Sequence, residues 1–472
     1  MSISPAPTST PASDSRFTPG AGTAKLLIKI FIGALTLRWC YALALYLTMG
    51  DAGLMGTDSG NYLDHTRSFV NEIANGSVHG WQWFGLDPFI MPLMTWLVAL
   101  HLMIFGAFAP LTYVLSQGLL DSLTCLLVYG IASEFNRPCA VAAAGFAAVN
   151  PTQIVLSGFL YTDTPFLFFV AIILLASARW LRDPTWRWAL LIGAGLTGAA
   201  LFRVLIVAWA PPLLAFLLAV QIFKGLRRDH FFQLAAAAAV FGIFIGALAV
   251  RNAKEYDSWA LSPQNGMHLN WWVVPLVKEA RDGTPWARGM QEMLDRTRDR
   301  FGPQSLNPFV ESQRYTQVAM EELKSIGIPA IAKAWLFGAA LNMGSPALIL
   351  SPPVASLPRT GFYGTIGATL TEKVTNFLFR SSNSTYALIL LAGATGLAGL
   401  RVVQLWGLFV LLRTRGCNVA LLLLLSGWCV FILFINGPVA SPKYRLPMEP
   451  VLDILAGAGI AAIYRRKVRV TS

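Results

Sequence analysis

Two short polar stretches carry acids where an otherwise apolar chain is interrupted. The first, MGTDSGNYLDHTR at Met55–Arg67, sets Asp58, Asp64, His65 and Arg67 just after a long apolar run. The second, LYTDTP at Leu160–Pro165, sets Asp163 between two more. Arg203 in AALFRVLIV, and Lys443 with Arg445 in SPKYRLP, add cations in similar surroundings. A carboxylate held in a cleft can take a proton from an attacking hydroxyl. A guanidinium can grip a phosphate through its fork of donors, and an ammonium can do so as a point charge. Together these groups would suit displacement of a phosphate leaving group. Each also has a plainer reading. Asp58 and Asp163 are equally good helix N-caps, Asp163 with Pro165 close behind it near the first helical position. Arg203 could pair with a helix-end carboxylate instead of a ligand, because a guanidinium at membrane depth must face a partner or a cavity. Lys443 and Arg445 could simply meet lipid headgroups.

The elements that must position these residues follow from composition. Of 472 residues, 55% are hydrophobic and only 13% are charged, far too little charge for a soluble domain of this length. Apolar runs fall near 26–49, 89–108, 110–132, 139–159, 164–181, 188–223, 231–250, 329–350, 385–412, 418–436 and 446–464. The expected class is an all-α polytopic membrane protein of about 10–12 transmembrane helices, judged against the roughly 20 residues needed to cross a bilayer. The net charge of +12 does not point to nucleic acid, because the basic residues sit in short loops. Those at Arg137, Arg179/Arg182/Arg187, Lys224/Arg227/Arg228, Arg413/Arg415 and the tail YRRKVR read as cytoplasmic. The acid-rich loop 51–87 then lies outside, and 89–108, with its two prolines, becomes an outer juxtamembrane helix. Orientation set from the cytoplasmic loops brings Asp58, Asp163, Arg203, Lys443 and Arg445 to one outer face. Lys443 and Arg445 break the positive-inside pattern there, which makes them the more informative cations.

Four segments are expected: a disordered Pro/Ser/Thr-rich tail at 1–24, a catalytic membrane module at 25–250, an outer loop and juxtamembrane region at 251–384, and closing membrane helices with a basic cytoplasmic tail at 385–472. The five cysteines lie in or beside apolar runs without CxxC pairs or a His cluster, so no metal site is assigned. There is no P-loop, GxSxG or HExxH motif, which leaves ATP-driven transport, serine hydrolysis and zinc proteolysis without support.

With these residues in view, the chain resembles the GT-C superfamily of integral membrane glycosyltransferases, the broad group of protein O-mannosyltransferases and the lipid A aminoarabinose transferase. The carriers are GTDSGNYLDHTR, DPFIMPLMTWLVALHLMIFGAF, NPTQIVLSGFLYTDTPFLFF, GLTGAALFRVLIV and KYRLPMEPVLDILAGAGI. The resemblance implies a GT-C-like bundle with outer juxtamembrane helices in the plasma (inner) membrane. It implies transfer of a sugar from a polyprenyl-phosphate donor to a lipid, glycan or protein acceptor on the extracytoplasmic side, with inversion. Asp58 matches the first-loop base and Asp163 the acidic position of the second outer loop. Arg203, Lys443 and Arg445 fall where cations would hold the donor phosphate. Tyr62, His268, Trp271 and Trp272 are candidate acceptor or substrate contacts, the last three equally interfacial anchors. No cofactor is firmly implied; some relatives use a divalent cation. Asp58, near the outer interface, is expected to have a raised pKa that would improve it as a base.

Two departures stand out. TDT replaces a glutamate common in relatives, and no large C-terminal soluble domain is expected, which favours a lipid or glycan acceptor over a protein. The competing reading is a lipid-linked sugar flippase, for which a transporter's repeat and mid-bilayer ionisable pathway would be required. A non-catalytic scaffold, with the aspartates as replaceable caps, is the third.

Overall fold

The computed structural model describes residues 21–380, 382–414 and 416–471, and among them it holds helices and no strand. The first group is α1 (Ala21–Met49), α2 (Ser59–Ala74), α3 (Pro92–Phe105), α4 (Ala109–Ala132), α5 (Arg137–Val149), α6 (Pro151–Ser157), α7 (Asp163–Arg182), α8 (Trp186–Ala200), α9 (Ile206–Gly225) and α10 (Arg228–Tyr256). Next come α11 (Gln264–Met267), a π turn (His268–Val273), α12 (Val274–Asp282), α13 (Trp286–Phe301), α14 (Pro308–Ile326), α15 (Ile328–Gly344), α16 (Pro352–Ala355) and α17 (Leu370–Phe379). The chain closes with α18 (Ser384–Arg413), α19 (Val419–Asn436), α20 (Pro442–Arg445) and α21 (Glu449–Thr471). Of the expected disordered tail, residues 1–20 lie outside the described residues, while Ala21–Ala24 already form the first turn of α1.

Among the described residues, eight helices are long and apolar enough to cross a membrane, or up to ten if each of two bent pairs counts as one span. The expected 10–12 is therefore met only at its lower edge. The shortfall comes from elements that sequence counting treated as spans. The run 188–223 divides, as anticipated, around Arg203, but its first half, α8, has only 15 residues. The run 329–350 becomes α15, which meets the polar α14 at a bend of 106°. The run Pro92–Ala132 is continuous in hydropathy but is not one rod. Gly106 takes φ +54°, the Tyr113 hydroxyl donates to Met94 Sδ at 3.0 Å, and the His101 and Tyr113 rings lie 5.5 Å apart. In a straight helix Met94 and Tyr113 would be about 28 Å apart, so α3 folds back along α4.

Breaks inside the bundle are closed by buried cations. Pro151 has no N–H to continue α5 and restricts Asn150 to extended backbone, so the chain bends by 44° into α6. The carbonyls freed at the end of α5 accept from Arg38 of α1, at 3.0 Å for Ala147 and 2.9 Å for Ala148. The Arg38 guanidinium also pairs with Asp121 of α4 at 2.6 Å, both side chains fully buried. Asn150 caps α6 through Thr152 N–H and donates to Glu449 and Asp453 of α21, each at 3.1 Å. Charge in an apolar interior persists only when paired and hydrogen-bonded in this way.

Helix α21 is seated by missing side chains. A Cβ at Gly457 would lie 2.6 Å from Ala143 N on α5, and one at Gly459 would lie 2.5 Å from Val403 O on α18. The LAGAG sequence thus lets α21 lie against both neighbours at small-residue distance. A second core, around Val274, Val277, Met293 and Ala319, packs α12, α13 and α14 together. Trp272 and Tyr444 border it, which brings this core to the edge of the site.

Candidate functional site

The first polar loop is pinned onto the second. Leu160 N–H donates to Leu54 O at 2.9 Å, and Ser59 Oγ donates to Leu160 O at 2.9 Å. Ser59 Oγ also accepts Gly56 N–H at 2.8 Å, so the serine closes the turn ahead of α2. Asp58 holds the N-cap position of α2 (φ −101°, ψ −10°), yet its side chain makes no capping bond. That frees the carboxylate, which instead forms an ion pair with the Lys443 ammonium. The Asp58 side chain remains 40% exposed, against 12% for Lys443.

Lys443 is carried by a turn that other polar groups hold in place. Ser441 caps α20 by accepting Lys443 N–H at 3.3 Å. The buried Asn342, near the end of α15, donates to Val439 O at 3.0 Å and accepts Ser441 N–H at 2.9 Å. The Lys443 Nζ lies 4.8 Å from the centre of the Tyr161 ring, a cation–π contact.

Asp163 opens α7, and Arg203 lies in the break between α8 and α9. Arg203 Nη2 is 3.0 Å from Asp163, and its Nε donates to Thr162 Oγ1 at 3.1 Å. The Asp163 side chain is 1% exposed while Arg203 retains 16%, so the carboxylate is enclosed and the guanidinium keeps an open edge. The helix-end ion pair weighed from sequence is thus present. Lys443 and Arg203 both act electrostatically on Asp58, and Asp163 acts on Lys443. Two acids and two cations from four distant chain segments therefore form one charge-balanced cluster. Tyr62, one turn into α2, sits within the field of all four, and burial pushes its phenol up.

The electrostatics correct one expectation. Burial pushes the Asp58 carboxyl up, but Lys443 beside it, together with Arg203 and the Thr57 hydroxyl, outweighs this and holds it below its usual value. A raised pKa would need Lys443 to be elsewhere.

Arg445, grouped with Lys443 in sequence, does not join the cluster. Fully buried, its guanidinium donates to Glu449 Oε1 (2.7 Å), Asn342 O (2.8 Å), Ser345 O (2.7 Å) and Thr152 Oγ1 (2.8 Å). These bonds occupy every nitrogen and close the C-terminal end of α15 against α6 and α21. The physical reason is helical geometry: across the short α20 turn, residues two apart point to different sides. His268, Trp271 and Trp272 are also elsewhere. Trp272 stacks on Trp286 with centroids 4.7 Å apart, and Trp271 meets the edge of Tyr315. Burial holds the His268 imidazole below its usual value. Of the three, Trp272 packs against the second core. Its link to the site is Tyr363, which contacts Trp272 and whose hydroxyl donates to Ala440 O at 2.8 Å and accepts Ala440 N–H at 3.0 Å.

Sequence reading did not single out Tyr161 or Asn342. The one signal for Asn342 was a lone amide inside the apolar run LFGAALNMG. Tyr161 had only its place two residues before Asp163. Nor do the residues fit a divalent cation. Among the described residues no three His, Cys, Asp or Glu side chains converge, and both site carboxylates are already engaged by cations.

The sequence model for dolichyl-phosphate-mannose-protein mannosyltransferases matches residues 88–249. Among solved structures, the archaeal oligosaccharyltransferase AglB from Archaeoglobus fulgidus, in complex with an inhibitory peptide and a dolichol-phosphate, is similar with a TM-score of 0.50 at 16% identity, covering 94% of this chain and 50% of that one. The apo form of the Archaeoglobus fulgidus oligosaccharyltransferase gives the same values. ArnT from Cupriavidus metallidurans bound to undecaprenyl phosphate has 16% identity and a TM-score of 0.36, covering 94% of this chain and 78% of that chain. The chain spans about half the length of the archaeal structures that it matches. No curated protein matches it.

Proposed function

This chain has the GT-C fold of polytopic membrane glycosyltransferases, and from that premise we propose that it transfers a sugar from a polyprenyl-phosphate donor to an acceptor hydroxyl on the extracytoplasmic side of the plasma membrane. The observation that carries the reading is the placement of the Asp58 carboxylate: it stands at a cap position, makes no cap, and pairs with Lys443 in the cluster that also holds Arg203. AglB was solved in complex with a dolichol-phosphate, which supports a lipid phosphate as the donor's leaving group here.

The chemistry is one displacement. The acceptor oxygen attacks the anomeric carbon and gives its proton to Asp58. The bond from that carbon to the phosphate oxygen breaks on the opposite face, its electron pair stays with the phosphate, and configuration inverts. Lys443 and the open edge of Arg203 stabilise the charge developing on the leaving phosphate. Drawing Lys443 toward the phosphate also raises the basicity of Asp58 when a base is needed. Asp163, enclosed beneath Arg203, holds that guanidinium in place. The acceptor hydroxyl belongs to a lipid, a glycan or a protein, and Tyr62 borders its approach. The buried ionisable residues of the bundle interior are closed on one another and on helix carbonyls, a packing role that does not favour a transport pathway.

The test is release of lipid phosphate from a panel of polyprenyl-phosphate sugars by the purified chain. Asp58→Asn should abolish release while the protein stays folded and still binds donor. Wild-type release by that variant would refute the base assignment.

A further inference from the structure

The displacement requires Asp58 and Lys443 to be held together, although 385 residues separate them. One side chain reaches both. The Tyr161 hydroxyl accepts Thr57 N–H at 2.8 Å and lies 3.2 Å from Thr57 Oγ1, immediately before Asp58. The ring of the same residue receives the Lys443 ammonium on its face at 4.8 Å.

Tyr161 is itself fixed. It is 4% exposed, its carbonyl accepts from the Tyr113 hydroxyl at 3.2 Å, and its ring packs 5.4 Å from that of Phe159. The first loop is shaped to admit it, since a Cβ at position 56 would lie 1.9 Å from the Tyr161 hydroxyl oxygen. The requirement for glycine in GTDSG therefore comes from the second loop, not from the turn that contains it.

We propose that Tyr161 is the positioning residue of this site, its hydroxyl setting the backbone that carries Asp58 and its ring setting the ammonium of Lys443; the proposal rests on the glycosyltransferase reading above. A packing role alone would be filled by any ring of similar size, because Phe159 and the Leu156 and Leu167 side chains around it are apolar. A positioning role divides into two parts that substitutions can separate. Tyr161→Phe keeps the ring under Lys443 and leaves Thr57 N–H without its acceptor. Tyr161→Leu removes both contacts. Gly56→Ala leaves Tyr161 chemically intact but pushes its hydroxyl off Thr57. The groups that face Asp58 and set its titration are Lys443 from α20, Arg203 from the α8–α9 break, and Thr57 from its own loop.

The experiment uses the full chain in lipid nanodiscs, with two readouts. Infrared titration follows the Asp58 carboxylate band, assigned by its loss in Asp58→Asn. Turnover is followed as lipid phosphate released from a polyprenyl-phosphate sugar. In the wild type the band titrates below the usual carboxylate range. In Tyr161→Leu it moves up, because Lys443 loses its seat, and kcat falls about 100-fold, a cation–π contact and a hydrogen bond lost together. Tyr161→Phe and Gly56→Ala lower kcat roughly 5-fold each, with donor KM within about twofold and a smaller upward move of the band. Wild-type titration in Tyr161→Leu, or in Tyr161→Phe and Gly56→Ala should the leucine variant not fold, overturns the proposal. A band that moves as described in a protein whose wild type releases lipid phosphate from no donor supports the positioning and refutes the glycosyltransferase reading instead.

Discussion

The ion pair between Asp163 and Arg203 separates stability from chemistry, and Asp163→Asn is the perturbation that exposes the difference. The carboxylate is 1% exposed and its guanidinium partner 16%. Removing the acid leaves a largely buried cation that keeps a hydrogen bond to the Thr162 hydroxyl at 3.1 Å and the face of the Phe166 ring at 6.0 Å. Breaking one side of a buried pair costs about 3–5 kcal/mol. Because Arg203 keeps some exposure, the lower end applies, about 3 kcal/mol, or somewhat over a hundredfold in the folding equilibrium. Replacing both partners, in Asp163→Asn with Arg203→Met, removes the stranded charge and should recover all but about 1 kcal/mol. The assay is reversible unfolding of the purified chain in mixed micelles with increasing SDS, read by tryptophan fluorescence and arranged as a double-mutant cycle. Turnover should not follow stability: the double variant regains its fold and stays inactive, because Arg203 is also asked to hold the leaving phosphate. An Asp163→Asn protein that unfolds at the wild-type midpoint, or a double variant as active as wild type, would refute the reasoning.

Other outcomes follow from the same cluster and from the bundle interior. Lys443→Met should lower kcat by roughly 10²–10³, the cost of removing one preorganised charge from a developing anion. Because Lys443 holds the Asp58 carboxyl below its usual value, losing it moves the acidic limb of the kcat/KM profile toward higher pH; an unmoved limb would detach the two residues. The same sign governs stability: the Asp58–Lys443 pair contributes above the unfolded carboxyl pKa and is lost as pH falls through the lower folded one. With Asp58 40% exposed, that contribution is screened to under about 1 kcal/mol. Arg38→Met strands Asp121 among buried groups and takes the guanidinium away from the Ala147 and Ala148 carbonyls. It should destabilise by about 3–5 kcal/mol while the surviving folded fraction keeps wild-type KM for donor. A changed KM would mean that this pair reaches the site.

What the sequence showed and what it hid have physical causes. Hydropathy marked the helices well, because a bilayer demands long apolar runs whatever the packing. Hydropathy alone runs unbroken through Pro92–Ala132; it was loop charge and the two prolines that set 89–108 apart, while the turn at Gly106 is a matter of backbone angle. Asp58, Asp163, Arg203 and Lys443 could be picked out because each is an ionisable residue within or between apolar runs. Arg445 had the same signature and a different use, as sequence context does not tell a cation facing a cleft from one facing helix carbonyls. Tyr161 and Asn342 were hidden for the opposite reason: neither carries a charge, and their value lies in what they touch across the fold.

The ionic contact between the first polar loop and the α20 turn has a consequence for biogenesis. Asp58 is made 385 residues ahead of its counter-ion, so while the helices between them insert the carboxylate waits without its ammonium. A nascent chain arrested between Arg203 and α20 contains the would-be base, the α7 acid and the Arg203 guanidinium, but not the cation that completes the cluster. The complete charge cluster is thereby withheld until α20 has been made and α21 follows the turn into place.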